Sequence, residues 1–219
     1  AGIHFMVGFN RRFDPHIQQL KAAIDKGKTG SPRIVKITSR DPAPPPLEFI
    51  KHSGGIFLDM AIHDFDMARY LLDDEVVQVS STGNIFGDLP LAQYDDIDTA
   101  VTTLIFKKGC MVQIDNSRYS AYGYDQRLEV FGESGMVATQ NILEDAVQIT
   151  DESGHHTARS KHFFVERYSD SYRNILMDFI ATLKNKQAPS ISADDGLAAL
   201  VIAMAAKQSA KENRPISLS

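Results

Sequence analysis

The sequence predicts an α+β fold: an open, mainly antiparallel β-sheet with helices packed on one of its faces. Three observations carry that reading. Helical periodicity marks much of the first seventy residues. From Glu75 to about Ile149 the apolar residues recur with period two, in runs separated by turn residues. Two amphipathic helical segments then close the chain. The 219 residues are enough for one large domain or a domain and a half.

In order, Ile3 to Asn10 (IHFMVGFN) is a short apolar run suited to a buried strand. Asp14 caps a helix with Pro15 in its first turn; Ile17, Leu20, Ala23 and Ile24 form its apolar face, and Gly27 ends it. Arg33 to Arg40 alternates like a strand, and the proline-rich DPAPPPL over 41–47 can be neither helix nor central strand. Gly54 to Leu72 reads as one helix, apolar on most of its circumference. Expected strands follow at Val76 to Phe86, Asp98 to Phe106, Cys110 to Ser117, Gln126 to Gly132, Met136 to Gln140 and Ala146 to Thr150. Lys107-Lys108-Gly109, Tyr122-Gly123 and Gly132-Glu133-Ser134-Gly135 supply the turns, so consecutive hairpins are expected. Helices are expected over Asp170 to Lys186 and Asp194 to Asn213, the second behind the capping pattern Ser192-Ala193-Asp194-Asp195.

Bulk properties narrow the function. A net charge of -5, with no cluster of Lys and Arg among aromatics, argues against a nucleic-acid surface. The longest apolar runs are too short and too interrupted for a membrane span. A lone cysteine, Cys110, fits a reducing, cytoplasmic setting and reads as a half-buried thiol rather than a nucleophile. The alternating apolar strands imply that the second sheet face is covered, by another copy of the chain.

The chemistry concentrates on 54–72. Asp59, His63 and Asp66 lie at i, i+4 and i+7, one stripe on an apolar helix. A carboxylate bonded to one imidazole nitrogen fixes the tautomer and raises the basicity of the other, which makes Asp59 and His63 a general-base pair; a buried anchor for the helix is an equally weighted alternative. Asp66 reads as structural, bonded to a backbone group or to Arg69. His52, Asp59, His63, Asp64 and Asp66 offer metal donors, but without HExxH, a cysteine pair or an EF-hand loop no metal is expected. Tyr119, Tyr122 and Tyr124 bracket a loop and serve either packing or a pocket wall. Arg11 and Arg12 follow the first apolar run; a surface ion pair is the plain account of them, and the C-terminal end of a strand is also where ligands of α/β proteins sit. Gly27-Lys28-Thr29 closes a helix and is not a phosphate loop, and no G-x-G-x-x-G occurs.

VGFNRRFDP, ITSRDPAPPP, SGGIFLDMAIHDFDMARYLL, YDDIDTAV, IDNSR, YGYDQRLEVFGESGM and DGLAALVIAMAAKQS together resemble the glucose-fructose oxidoreductase (Gfo/Idh/MocA) family of NAD(P)-dependent sugar dehydrogenases, and within it the inositol-type members. The resemblance covers nearly all of the chain. It implies the C-terminal portion of a Rossmann-type dehydrogenase, with residues 1–14 a remnant of the last strand of a missing dinucleotide domain and 15–219 the substrate-binding and oligomerisation domain. It further implies that His63 is the general base, that Asp59 orients it, and that Asn10, Arg11, Asp41, Tyr122 and Tyr124 lie around the polyol. The implied reaction is NAD-dependent oxidation of myo-inositol to the 2-keto-inositol, with NAD held mainly by the missing domain, the isolated piece inactive and the intact enzyme a tetramer. A non-enzymatic oligomerisation module, or a dehydrogenase for scyllo-inositol or another sugar, are the alternatives.

Overall fold

A computed structural model describes residues 3–218. Asp14 accepts from the backbone N–H groups of His16 and Ile17, and Pro15 fills the first position, so helix α1 runs Pro15–Asp25. Strand β1 (Pro32–Arg40) follows. The prolines allow no regular structure until a short helix, α2 (Leu47–Ser53).

The helix expected over 54–72 is two helices, α3 (Ile56–Asp59) and α4 (Ile62–Leu72). Met60 stays in the helical region but is stretched to φ -111°, and the N–H of Ala61 reaches back five residues to the carbonyl of Ile56 (2.9 Å). Such an extra residue rotates everything after it relative to everything before it. Asp59 and His63 therefore do not share the stripe that their spacing implies.

The main sheet contains β2 (Val76–Asn84), β3 (Thr99–Phe106), β4 (Met111–Ser117), β5 (Asp125–Gly132), β6 (Met136–Thr139) and β9 (Ile216–Ser217) together with β1. Its order is β6-β5-β1-β4-β3-β2-β9, antiparallel throughout except for the parallel pair β1 and β4. The sheet is thus mainly antiparallel as expected, but not a simple run of hairpins: β1 enters between β4 and β5, so Tyr122-Gly123 lies in a wider connection and not in a tight hairpin. Between β6 and the closing helices, β7 (Gln148–Asp151) and β8 (Gly154–Thr157) form a separate hairpin. The last expected strand belongs there and not to the main sheet. Residues 3–9 form no strand. Ile3 and Phe5 are exposed, and Val7 makes one backbone bond, to Ile191, so the run has no ladder to join among the described residues.

Helices α5 (Phe164–Arg167), α6 (Ser169–Asn185) and α7 (Ala193–Glu212) follow. Ser192 and Asp195 close a reciprocal capping box on α7, as the sequence pattern implies. The core lies on one sheet face, where Val35, Ile37, Leu104, Val112, Ile114 and Val130 meet Phe65, Met67, Leu71, Ala203 and Ala206 from α4 and α7. On the opposite face the register lines up Ile105, Met111, Ile34, Phe131 and Met136 in one apolar row across five strands. The next row is polar, with Gln113, Lys36 and Glu129 side by side and a Lys36–Glu129 ion pair at 3.0 Å.

Candidate active site

A cavity of about 810 Å³ opens where the C-terminal ends of β1 and β4 meet the break between α3 and α4. Asn10 and Arg11 reach it from the 3-10 turn Asn10–Phe13, Asp41 from the end of β1, and Arg118 from the end of β4. Asp59 and His63 flank the helix break, and Tyr124 and Tyr168 complete the polar side. Pro42 to Pro46, Phe49, Phe163 and Phe164 form an apolar wall opposite. A cavity with one apolar wall and a few convergent polar groups is the usual form of a small-molecule site.

Arg11 is fixed from below. It donates to Asp64, which is fully buried and also accepts from Asn116 Nδ2 at 2.7 Å, and it reaches Ser39 Oγ at 3.3 Å. Burial works against the cation, but Tyr168 and Asp64 outweigh it and hold the pKa of Arg11 above the ordinary arginine value. The floor of the cavity thus carries a permanent positive charge.

His63 has no side-chain hydrogen bond, and its Nδ1 is buried without a partner. The ring packs edge-on against Phe9, with centroids 5.9 Å apart. Burial, reinforced by Arg11, lowers its pKa from 6.5 to about 3, so the imidazole is neutral throughout the physiological range. Asp59 does not reach it. Its carboxylate accepts from Arg118 Nη2 at 2.9 and 3.1 Å, and the same nitrogen donates to Asp96 at 3.1 Å. The expected Asp59–His63 pair is therefore replaced by an Asp59–Arg118–Asp96 bridge, in which the buried guanidinium and not the imidazole takes the carboxylate. Burial raises the pKa of Asp59 even against Arg118.

Asp41 stands beside both arginines, yet burial lifts its carboxyl to about 6. Asn10 Nδ2 is buried and unpartnered. Burial also raises the pKa of Tyr124 well above the ordinary phenol value, so it stays protonated and able to donate.

The structure brings Asn10, Arg11, Asp41, Asp59, His63 and Tyr124 to one cavity and leaves Tyr122 outside it. Tyr122 is exposed, accepts from Arg40 Nη1 at 2.8 Å and donates to Asp125 at 2.6 Å. Asp66 is structural, but its partner is Arg12 (2.6 and 3.0 Å), not Arg69. Arg118, known from the sequence only as the last residue of IDNSR, and Tyr168, which precedes a helix far along the chain, were singled out by no sequence reading; Asp64, read only as a possible metal donor, works under Arg11 without facing the cavity. Among the described residues, no group of three or more His, Cys, Asp or Glu is arranged to hold a metal, and no helix is long and apolar enough to cross a membrane.

The model of the GFO/IDH/MocA C-terminal domain matches residues 17–138, more than half of the chain. The chain belongs to the GFO/IDH/MocA family. It is similar to the myo-inositol 2-dehydrogenase of Thermotoga maritima, 49% identical over 218 residues, which cover all of this chain and 65% of that protein. Its fold is similar to the crystal structure of a probable dehydrogenase from Thermotoga maritima, with a TM-score of 0.96, 48% identity and coverage of 98% of this chain and 65% of that one. A myo-inositol dehydrogenase from Lactobacillus casei, solved in complex with NAD(H) and myo-inositol, superposes with a TM-score of 0.85 at 27% identity, over 97% of this chain and 61% of that one. The chain thus spans just under two-thirds of the length of these relatives.

Proposed function

We propose that this chain is the substrate-binding and proton-accepting part of an NAD-dependent inositol 2-dehydrogenase that oxidises myo-inositol to the 2-keto-inositol. The single observation that carries the reading is the neutral, unpartnered imidazole of His63 in a cavity that also presents two carboxylates, two guanidinium groups, an amide and two phenols. A polyol needs many directional hydrogen bonds, and this set supplies both donors and acceptors. The names of the relatives support inositol as the polyol. Hydroxyl orientation is discriminated by geometry more than by residue type, so scyllo-inositol or another sugar is the competing substrate.

In this reading the unburied ring nitrogen of His63, Nε2, accepts the proton of the reacting hydroxyl. Asp41, in the same cavity, lowers the cost of the charge formed on the ring, and Arg11 and Asn10 hold neighbouring oxygens. The sequence has no glycine-rich phosphate loop, so the dinucleotide phosphates have no seat on this chain. A nicotinamide held by the remainder of the protein would supply the hydride acceptor. Residues 1–14 would then border that dinucleotide domain, with 15–219 the substrate domain, and the chain alone would turn over no inositol.

The test is His63→Asn in the full-length enzyme with NAD and myo-inositol. Loss of a positioned general base is expected to lower kcat by about 10²–10⁴-fold. Turnover within a few-fold of wild type would overturn the assignment; steady NADH formation by this chain alone would overturn the expectation that it is inactive by itself.

The open sheet face supports a second role. Met111, Phe131 and Met136 are exposed in one row, which suits self-association into a homo-oligomer. Light scattering of M111E/F131E should show a smaller species than wild type; an unchanged mass would remove the sheet face from the interface. The lone thiol Cys110 fits a reducing, cytoplasmic setting.

A further inference from the structure

His63 is left without a carboxylate partner, because the nearest one in sequence, Asp59, is turned to Arg118. We infer that Arg118 is a positioning residue for the proton-transfer step: by bridging Asp59 to Asp96 it holds the Asp59 carboxylate off His63 and leaves the imidazole free as an acceptor. The inference rests on the role of His63 proposed above.

Three observations converge on it. Arg118 is among the most deeply buried large side chains, at 1% exposure, yet its guanidinium borders the cavity. Through one nitrogen, Nη2, it donates to both oxygens of Asp59 and to Asp96 Oδ2. The bridge is anchored at its far end, because Asp96 Oδ1 accepts from the backbone N–H groups of Ile56 (2.8 Å) and Ile97 (2.8 Å). Ile56 opens the very helix that ends in Asp59. Asp96 thus fixes the start of α3, and Arg118 fixes the carboxylate at its end.

The surroundings leave His63 no other acid in hydrogen-bond contact. From the 3-10 turn it meets Arg11 and, beside that turn, Phe9; burial and Arg11 are what depress its basicity. Asp59 meets Arg118, Asp96 and, from the end of α2, Ser53. Asp41, at the end of β1, shares the cavity and feels Asp59, Asp64, Arg11 and Arg118. With Arg118 removed, Asp59 would lose its cation while remaining largely buried, and the imidazole that lines the same cavity across the helix break is the partner able to share a proton with it.

The test is NMR titration of the His63 ring in this folded chain, which needs neither NAD nor turnover. In wild type and in Asp59→Asn, His63 is expected to remain neutral down to about pH 4. In Arg118→Gln, with the amide spectrum otherwise intact, its midpoint should rise by about 1 to 3 pH units. The double variant D59N/R118Q should abolish that rise, and Arg118→Lys, which restores a cation, should largely suppress it. An unmoved midpoint in R118Q, or a rise that survives D59N, overturns the inference. Should R118Q fail to fold, wild type and D59N still decide: a wild-type His63 that titrates at or above 6.5 and falls in D59N would show that Asp59 pairs with it directly. Because the readout is a ring titration, Arg118 can fail this test while His63→Asn still abolishes turnover in the whole enzyme, and the reverse.

Discussion

Asp41→Asn should make the protein more stable at neutral pH, although Asp41 lies in the cavity proposed to bind substrate. Burial holds its carboxyl at about 6 in the folded chain against an ordinary 3.8. Between those values the folded chain carries a proton that the unfolded chain has lost, so stability falls as pH rises from about 4 to 6, and the full cost is present by pH 7. The gap of about 2 pH units, at ~1.4 kcal/mol each, amounts to ~3 kcal/mol. Asparagine cannot ionise, so the variant is expected to gain about 2–3 kcal/mol at pH 7.5 and nothing at pH 4. His63 works in the opposite direction: its folded pKa of about 3 lies below 6.5, the unfolded chain binds the extra proton, and stability falls as pH drops through that range. In wild type the two slopes oppose each other between about pH 4 and 6. Removing Asp41 exposes the His63 slope, a rise of ~1.4 kcal/mol per pH unit across that window. Urea unfolding of both proteins at a series of pH values measures each quantity. A variant no more stable than wild type at pH 7.5, or two parallel pH curves, would refute the reasoning. The expected gain is bought with function, as charged groups in binding cavities commonly are.

Other consequences can be measured directly. Arg12 joins Asp66, at 1% side-chain exposure, to Asp195 at the start of α7, so Arg12→Ala strands a buried carboxylate; a loss of ~3–5 kcal/mol in urea unfolding is expected, and a loss under 1 would show that the network is replaceable. A Cβ on Gly132 would lie 2.4 Å from the Thr29 carbonyl oxygen and 2.8 Å from that of Ser31, both backbone, so Gly132→Ala should cost about 1–3 kcal/mol, visible as a lower Tm. Burial, with Asp74 adding to it, raises the Cys110 thiol to about 11, so it should react with a thiol reagent at pH 7.5 only on unfolding; rapid labelling of native protein would contradict that burial.

Most of the secondary structure was legible because it rests on local rules. Asp14-Pro15 and Ser192 with Asp195 announce helix starts through their own hydrogen bonds, and period-two runs mark β2 to β6. What stayed hidden was non-local. Nothing in Arg33 to Arg40 says that the strand will enter between β4 and β5, since alternation reports a face and not a neighbour. The helix break at Met60 and Ala61 falls at ordinary residues with no proline or glycine, so the spacing of Asp59 and His63 misdescribed their geometry. For the cavity, motif resemblance supplied Asn10, Arg11, Asp41 and Tyr124, which line it together, and Tyr122, which lies outside it. Arg118 and Tyr168 could have been found only by asking what neutralises so many buried acids and what packs on Arg11.

The insertion of β1 has one more consequence. Its last residues bring Ser39 under Arg11 and Asp41 into the cavity, and the Asp41 N–H is tied to the carbonyl of Ser117, the neighbour of Arg118. Groups far apart in sequence become neighbours only when that strand is seated between its two partners in the correct register. A slip of one residue would exchange the two faces of β1 and carry Ser39 out from beneath Arg11. The cavity is therefore assembled late, after the long-range closure of the sheet, and partly folded chains that retain every helix would still have no place to receive a ligand.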